Sequence, residues 1–274
     1  MFPYEIFSGF DTYALMLCIG IVSAILSFRF MSDKTNISVR LQNLCLYNGV
    51  AAIGFGCFSA IFFQALYNIA KNDGKLIIDT KTGATFYGGL LGGAGLFLTI
   101  YFVVGAFIFK DSGEHKKKFW LVSDIASASI ALGHGFGRIG CLLAGCCHGA
   151  ETEAWYGIYM QSIDKKVVPV QLFEAIFLFA LSAFFIIRVK KNKTYNLPLY
   201  MGAYGVWRFV LEYMRDDYRG STVVDFLTPS QFIAMLMIIG ALALFVFERS
   251  MIKMQKCEKE ENENEENENE QKED

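Results

Sequence analysis

The sequence predicts an all-α, polytopic membrane protein of about seven transmembrane helices, with the N-terminus outside and the C-terminus in the cytoplasm. Three observations predict it. The 274-residue chain is 54% hydrophobic and only 19% charged, with a mean hydropathy of +0.35, too apolar for an ordinary soluble domain. The apolar residues gather into seven stretches, each near the ~20 residues that a helix needs to cross the hydrocarbon. Lysine and arginine are distributed unevenly between the connections.

The stretches lie near residues 10–31, 44–70, 84–109, 119–144, 170–189, 197–214 and 229–248. Ahead of the first, Met1 to Gly9 has neither a basic region nor a small-residue cleavage site, so that helix is expected to remain. The third has no charged side chain between Ala84 and Phe109. The fourth carries Asp124, His134 and Arg138, which weakens its hydropathy. It still reads as a span, because the basic connection before it and the polar segment after it need opposite sides.

Orientation follows from charge. Arg29, Lys34 and Arg40 fall in one set of connections, together with Lys110, Lys116 to Lys118, Arg188, Lys190, Lys191, Lys193, Arg249, Lys253, Lys256 and Lys259. The alternate set holds only Lys71, Lys75, Lys81, Lys165, Lys166, Arg215 and Arg219. The positive-inside rule puts the richer set in the cytoplasm. No internal repeat is visible, which argues against a repeat-built transporter.

Residues 1–256 read as one transmembrane domain. Residues 257–274 are almost entirely Glu, Asn, Lys, Gln and Asp, and such a tail buries too little surface to fold, so it is expected to be disordered. The formal charge of −2 averages this acidic tail with a basic body, and gives no reason to expect a nucleic acid partner. Of the seven cysteines, Cys18, Cys45 and Cys57 read as small buried hydrophobes.

Ionisable residues inside a span are costly, at least ~2.5–3.5 kcal/mol at the bilayer centre. The informative set is Arg138, Glu174, Arg208 and Glu212, with His134 and Asp124 beside them. Arg208 and Glu212 are four apart, and Tyr204 is four before Arg208, so one helical face carries all three. An ion-pair network between helices accounts for any one of them. Two arginines from different spans, both near the outer ends, point instead to a held anion. A phospholipid headgroup is the anion available at that depth, and the planar guanidinium fork suits it.

The most specific stretch runs from His134-Gly135-Phe136-Gly137-Arg138-Ile139-Gly140-Cys141 to Gly145-Cys146-Cys147-His148-Gly149. Its glycines permit close helix approach or an unwound helix end. Its cysteines read as packing residues, as a disulfide on an extracytoplasmic face, or as metal ligands. Adjacent ligands at 146, 147 and 148 are poor for a single tetrahedral site, so no metal is expected. A second glycine group, Tyr87 to Gly93, opens the third span.

With these residues in view, the sequence resembles the bacterial prolipoprotein diacylglyceryl transferase family over about residues 10–250. Tyr13-Ala14-Leu15-Met16 looks like the family's first-helix tyrosine motif, and Phe86-Tyr87-Gly88-Gly89-Leu90 like its Phe-His-Gly-Gly-Leu loop. Gly137-Arg138-Ile139-Gly140, followed by Gly149, is similar to its signature. Pro169 to Glu174 and Tyr204-Gly205-Val206-Trp207-Arg208-Phe209, then Glu212 and Arg215, resemble its two later motifs.

The resemblance implies an enzyme of lipoprotein biosynthesis in the plasma (cytoplasmic) membrane of a bacterium. It would move the diacylglyceryl group of phosphatidylglycerol to the thiol of a lipobox cysteine in a preprolipoprotein, with no cofactor. It assigns Arg138, Arg208, Glu212 and Tyr87 to catalysis. Tyr13, Gly140, Cys141, Cys146, Gly149, Tyr204, Glu174 and His134 would bind substrate. Three residues depart from the family pattern: Tyr87 stands at its histidine, Cys141 at its asparagine and Cys146 at its glutamate. His134 and His148 are nearby bases that could replace the histidine. A related transferase with another acceptor, and a non-enzymatic lipid-binding or transport protein, are the rival readings. The last predicts lipid binding without turnover.

Overall fold

The structure is a computed structural model that describes residues 5–7, 10–69, 74–79, 82–83, 85–215 and 227–273, without the side chains of 5–7, 10, 86–87 and 256–273. A short hairpin, β1 (Glu5–Phe7) and β2 (Phe10–Asp11), leads into α1 (Thr12–Ser32). There follow α2 (Val39–Asn68), α3 (Phe86–Ile108), the single turn α4 (Glu114–Lys117) and α5 (Phe119–Ala144). A second antiparallel hairpin, β3 (Ile158–Met160) and β4 (Lys165–Val167), precedes α6 (Val170–Lys190). Then come α7 (Asn196–Leu211), a 3-10 turn over Glu212–Met214, and α8 (Pro229–Glu273).

Among the described residues, five helices are long and apolar enough to cross a membrane: α1, α2, α3 from Gly88, α6, and α8 as far as Gln255. The other two expected spans also form helices, but differ from these five. The 26-residue α5 carries Asp124, His134 and Arg138, and α7 has only 16 residues. The helical, polytopic class therefore stands, with five spans by length and composition. The hairpins were not expected. Their strands are two or three residues long, too short to show a period of two. In the second, Asp164 takes a positive φ of 55° at the turn. The backbone of α8 runs on as helix into the acidic stretch whose composition predicts disorder.

Burial is inverted relative to a soluble protein. Phe107 is 80% exposed and Leu242 64%, whereas Glu174 and Gln171 are each 1% exposed. Apolar side chains facing outward suit lipid, and polar groups turned inward must find partners there.

By packing, the chain divides into two units, residues 32–119 and residues 1–31 with 120–274. In the first, Ser38 caps α2 by accepting from the Leu41 amide, while its own amide and hydroxyl donate to Glu114 at 2.8 and 2.6 Å. Helix α3 lies against α2 through its glycines. A Cβ on Gly92 would stand 2.2 Å from the Ser59 Oγ, and Ser59 donates to the Gly88 carbonyl.

In the second unit, α1 crosses α5 at a glycine pair. A Cβ on Gly20 would lie 2.9 Å from the Gly133 carbonyl oxygen, so the backbones touch, as in small-residue helix crossings in membranes. Helices α5, α6 and α7 are tied by inward polar groups. Ser182 donates to the Ala128 carbonyl at 2.8 Å, and the Asn196 amide donates to Asp124 at 2.7 Å. Arg188 Nε donates to the Asn196 side chain at 2.8 Å. These ties fix the register of the helices that carry the site.

Candidate phosphate and thiol site

Three helices meet at Arg138. It projects from α5 toward Glu174 on α6 and Tyr204 on α7. Its Nη2 lies 3.0 Å from Glu174 Oε1 and donates to the Tyr204 hydroxyl at 3.2 Å. The Tyr204 hydroxyl in turn donates to the same carboxylate oxygen at 2.6 Å. Arg138 Nε is buried with no hydrogen-bond partner. One turn earlier on α5, His134 Nδ1 is 3.0 Å from the Tyr200 hydroxyl. The His134 ring also sits edge-on to Tyr204, with centroids 4.9 Å apart. Tyr200 stacks on Tyr204. The aromatic layer fixes the face of α7 that Tyr204 presents to the arginine.

Arg208 lies one turn beyond Tyr204 on α7 and makes a second ion pair. Its Nη2 is 2.9 Å from Glu212 Oε2 and donates to Ser230 Oγ at 3.0 Å. Thr228 donates to the other Glu212 oxygen at 3.0 Å. Thr228 also accepts from the Gln231 amide, which caps the start of α8 just ahead of Pro229 at its first position. Arg208 Nη1 is buried and has no hydrogen-bond partner. The two pairs are therefore separate clusters joined through α7. Each keeps one buried, undonated guanidinium N–H, a group that is costly to leave unmade.

The segment after α5 gathers three thiols. The helix ends at Ala144, and Gly145 and Cys147 both take positive φ, 71° and 61°. A left-handed non-glycine residue is strained by roughly 1–2 kcal/mol. Side chains from neighbouring elements hold it: Arg215 Nη1 donates to the Cys147 carbonyl at 2.7 Å, and Gln171 Nε2 donates to the Cys146 carbonyl. The reversal folds residues 146 and 147 back over the last turn of α5. The Sγ atoms of Cys141, Cys146 and Cys147 all lie within 4.8 Å of one another. All three are free thiols, with Cys146 exposed. The Cys147 thiol is held well below the ordinary thiol range, first by hydrogen bonds from Cys141 and Cys146 and then by the Arg138 and Arg215 charges.

Most of the residues singled out from the sequence thus converge. Gly140 lets α1 approach, since a Cβ there would meet the Tyr13 ring at 3.0 Å. Tyr13 lies within electrostatic reach of Arg138 and the three thiols. Gly149 is pinned between the ends of two helices. A Cβ there would stand 2.5 Å from the Met214 carbonyl and 2.7 Å from Val170, and its amide donates to Val168 at 2.9 Å. His134 pairs with Tyr200 rather than standing as a free base. His148 Nδ1 is 3.0 Å from the Gly149 carbonyl oxygen. Tyr87 begins α3, in the other unit, and its side chain lies outside the described residues. Sequence reasoning missed Tyr200, Thr228 and Ser230. Tyr200 had a signal, four residues before Tyr204 on the same face. The two hydroxyls come from across a connection, and no spacing announces them.

Comparison with known proteins meets the same residues. The sequence model of the prolipoprotein diacylglyceryl transferase family matches residues 5–247. A phosphatidylglycerol–prolipoprotein diacylglyceryl transferase 2 of Clostridium perfringens is 31% identical over 258 residues, covering 90% of this chain and 94% of that protein. The corresponding transferase of Clostridium tetani is 30% identical over 254 residues, covering 89% and 94%. That of Actinobacillus pleuropneumoniae is 31% identical over 204 residues, covering 72% and 73%. The matched span includes both arginine clusters and the thiol loop, and the chain belongs to the prolipoprotein diacylglyceryl transferase family.

Proposed function

We propose that this protein transfers the diacylglyceryl group of phosphatidylglycerol to the thiol of a lipobox cysteine in preprolipoproteins. The observation that carries it is the pair of arginine–glutamate clusters on α5, α6 and α7, each with one undonated, buried guanidinium N–H, in a chain of this family. The acceptor thiolate forms a bond to the glyceryl carbon, and the carbon–oxygen bond to phosphate breaks. The electron pair leaves on glycerol phosphate, and the thiol proton passes to solvent. Negative charge concentrates on the leaving phosphate, so fixed donors aimed at it lower the barrier.

In this reading Arg138 and Arg208 hold the phosphate. Glu174 and Glu212 orient them, and Tyr204 and Tyr13 bind the headgroup. The enzyme is multi-pass in the bacterial cytoplasmic membrane, with seven spans, the N-terminus outside and the cysteine loop on the outer side. The Lys/Arg distribution supports that orientation, as do α5 and α7, whose polar residues face other helices. The test is purified protein with radiolabelled phosphatidylglycerol and a lipobox peptide. A thioether-linked lipopeptide with stoichiometric glycerol phosphate supports the reading. Lipid binding with no product under any condition removes it.

A further inference from the structure

Thiol alkylation at an sp3 carbon needs a thiolate, and the arginine clusters supply none of the deprotonation. Around Arg138 the described carboxylates are committed. Glu174 and Glu212 are each ion-paired to an arginine, and His134 is engaged with Tyr200. What the same end of α5 does hold is a group of soft ligands. Cys141, Cys146 and Cys147 come from one helical turn and the reversed loop after it, with their sulfurs within 4.8 Å of one another. Three thiolates around one zinc-class ion, each at about 2.3 Å, stand roughly 4 Å apart. The trio therefore needs only sub-ångström adjustment to close on a metal.

The backbone is arranged for this. Adjacent cysteines in regular structure point apart. Here the left-handed Cys147 turns the chain so that both thiols face Cys141. Arg215 and Gln171 lock the two loop carbonyls. The expectation of no metal rested on ligands at 146, 147 and 148 sharing one tetrahedron. The grouping in the fold is different: it takes 141, 146 and 147, and leaves His148 out. Three protein ligands with an open fourth position is the pattern of catalytic rather than structural zinc sites. The donor set is all sulfur, which selects zinc-class ions over magnesium or calcium.

We propose that Cys141, Cys146 and Cys147 bind one thiophilic divalent ion of the zinc class, and that the open position of this ion takes the acceptor thiol. The second half rests on the transferase reading above. Coordination releases the acceptor's S–H proton to solvent and holds the sulfur as a thiolate. That sulfur then forms its bond to the glyceryl carbon as the phosphate leaves with the carbon–oxygen electron pair. The resulting thioether is a weaker ligand than a thiolate, so the product detaches.

The test uses the full chain, reduced, stripped of metal and held in lipid nanodiscs. Titration with Co(II) should give one equivalent bound, with intense sulfur-to-metal charge-transfer bands in the near ultraviolet. Adding Zn(II) should bleach those bands. It should also protect the three cysteines, and not Cys18 or Cys57, from alkylation read by mass spectrometry in the unmodified protein. The triple Cys141→Ser, Cys146→Ser, Cys147→Ser variant should lose the bands, while Cys18→Ser and Cys57→Ser keep them. A lipobox peptide should shift the visible Co(II) bands, and the same peptide with serine for cysteine should not.

Absence of one-equivalent uptake by the unmodified protein overturns the site, whereas full transfer by the stripped protein in the presence of a strong chelator overturns the acceptor role. In the second case the transferase reading survives. One-equivalent binding unmoved by the peptide overturns the acceptor role. One-equivalent binding and a peptide shift, but no lipid product at any metal loading, overturn the transferase reading and leave the site standing.

Discussion

Replacing Arg208 separates the proposed binding of the lipid phosphate from the integrity of the α7–α8 junction, where Arg208 meets Glu212 and Ser230. Arg208 Nη2 is used within the protein, by Glu212 and Ser230, whereas Nη1 is buried without a hydrogen-bond partner. On the proposed phosphate-clamp reading, Arg208→Ala would remove one charge-assisted hydrogen bond to the substrate phosphate. Such a bond contributes about 1.5–3 kcal/mol in a ground state, and a preorganised donor that strengthens as charge develops is worth roughly 10²–10³ in rate. The variant also leaves the 6%-exposed Glu212 without its cation. Breaking a buried pair costs about 3–5 kcal/mol. Here Thr228 still donates to Glu212, so the lower end applies. Arg208→Lys keeps the charge but loses the planar fork that reaches Glu212, Ser230 and a phosphate at once. It should therefore retain most of the stability and still lose about 10²-fold in rate. The assay is lipopeptide formation from labelled phosphatidylglycerol, alongside thermal unfolding in detergent. A well-folded Arg208→Lys or Arg208→Ala protein with kcat/KM within threefold of the unmodified enzyme would refute the phosphate-clamp argument.

Gly20→Leu drives a side chain into the Gly133 carbonyl, 2.9 Å from where its Cβ would sit. It should destabilise the α1–α5 crossing by about 1–3 kcal/mol, and an unchanged Tm would show that the helices do not cross there. Reporter fusions after Lys117 and Lys191 should register as cytoplasmic and one at Lys165 as external; a cytoplasmic signal at Lys165 would reverse the orientation. The lowered Cys147 pKa means that its thiol keeps more of its thiolate as pH falls from 8 to 6 than an ordinary thiol of pKa ~8.5, which loses nearly all of it over that range. Alkylation of Cys147 in reduced, metal-free protein should therefore slow less across that range than that of a free cysteine peptide, which slows by about two orders of magnitude. A parallel slowing at Cys147 would mean that Cys141, Cys146, Arg138 and Arg215 do not hold its charge.

The helices were legible because hydrophobic length is a local property, and α1, α2, α3, α6 and α8 lie close to the stretches that predict them. The polar helices α5 and α7 were legible only through logic about sides, because residues such as Arg138, His134 and Asp124 lower the hydropathy of α5. The site was legible as residue types: an arginine within a span announces a partner, and Glu174 and Glu212 were the candidates at hand. Which arginine takes which glutamate was half readable. Arg208 and Glu212 are one turn apart on a single face, so their ion pair follows from helix geometry. Arg138 with Glu174 depends on how α5 lies against α6, set by contacts such as Ser182 to Ala128. Which cysteines come together was not legible for a related reason. Sequence adjacency of 146, 147 and 148 argued against one site, and only the positive φ at Cys147 shows which sulfurs meet.

Under the two proposals, the placement of Arg138 and Cys141 along α5 would couple the phosphate-holding group to the thiol trio. Arg138 and Cys141 are three residues apart, one turn of the same helix, so the group that would hold the leaving phosphate and the first ligand of the thiol trio move as a rigid pair. Arg215 extends the coupling. It follows the 3-10 turn that begins at Glu212, and it holds the Cys147 carbonyl at 2.7 Å. The chain that orients Arg208 through Glu212 therefore also fixes the loop carrying two of the thiols. A displacement and its leaving group must stand in line across one carbon, which demands a fixed distance between nucleophile and phosphate. One helical turn on α5 and one short turn after α7 would set that distance from both sides. The longer substitutions to expect here are those that keep both turns, and a single-residue insertion between Arg138 and Cys141 should abolish transfer while sparing lipid binding.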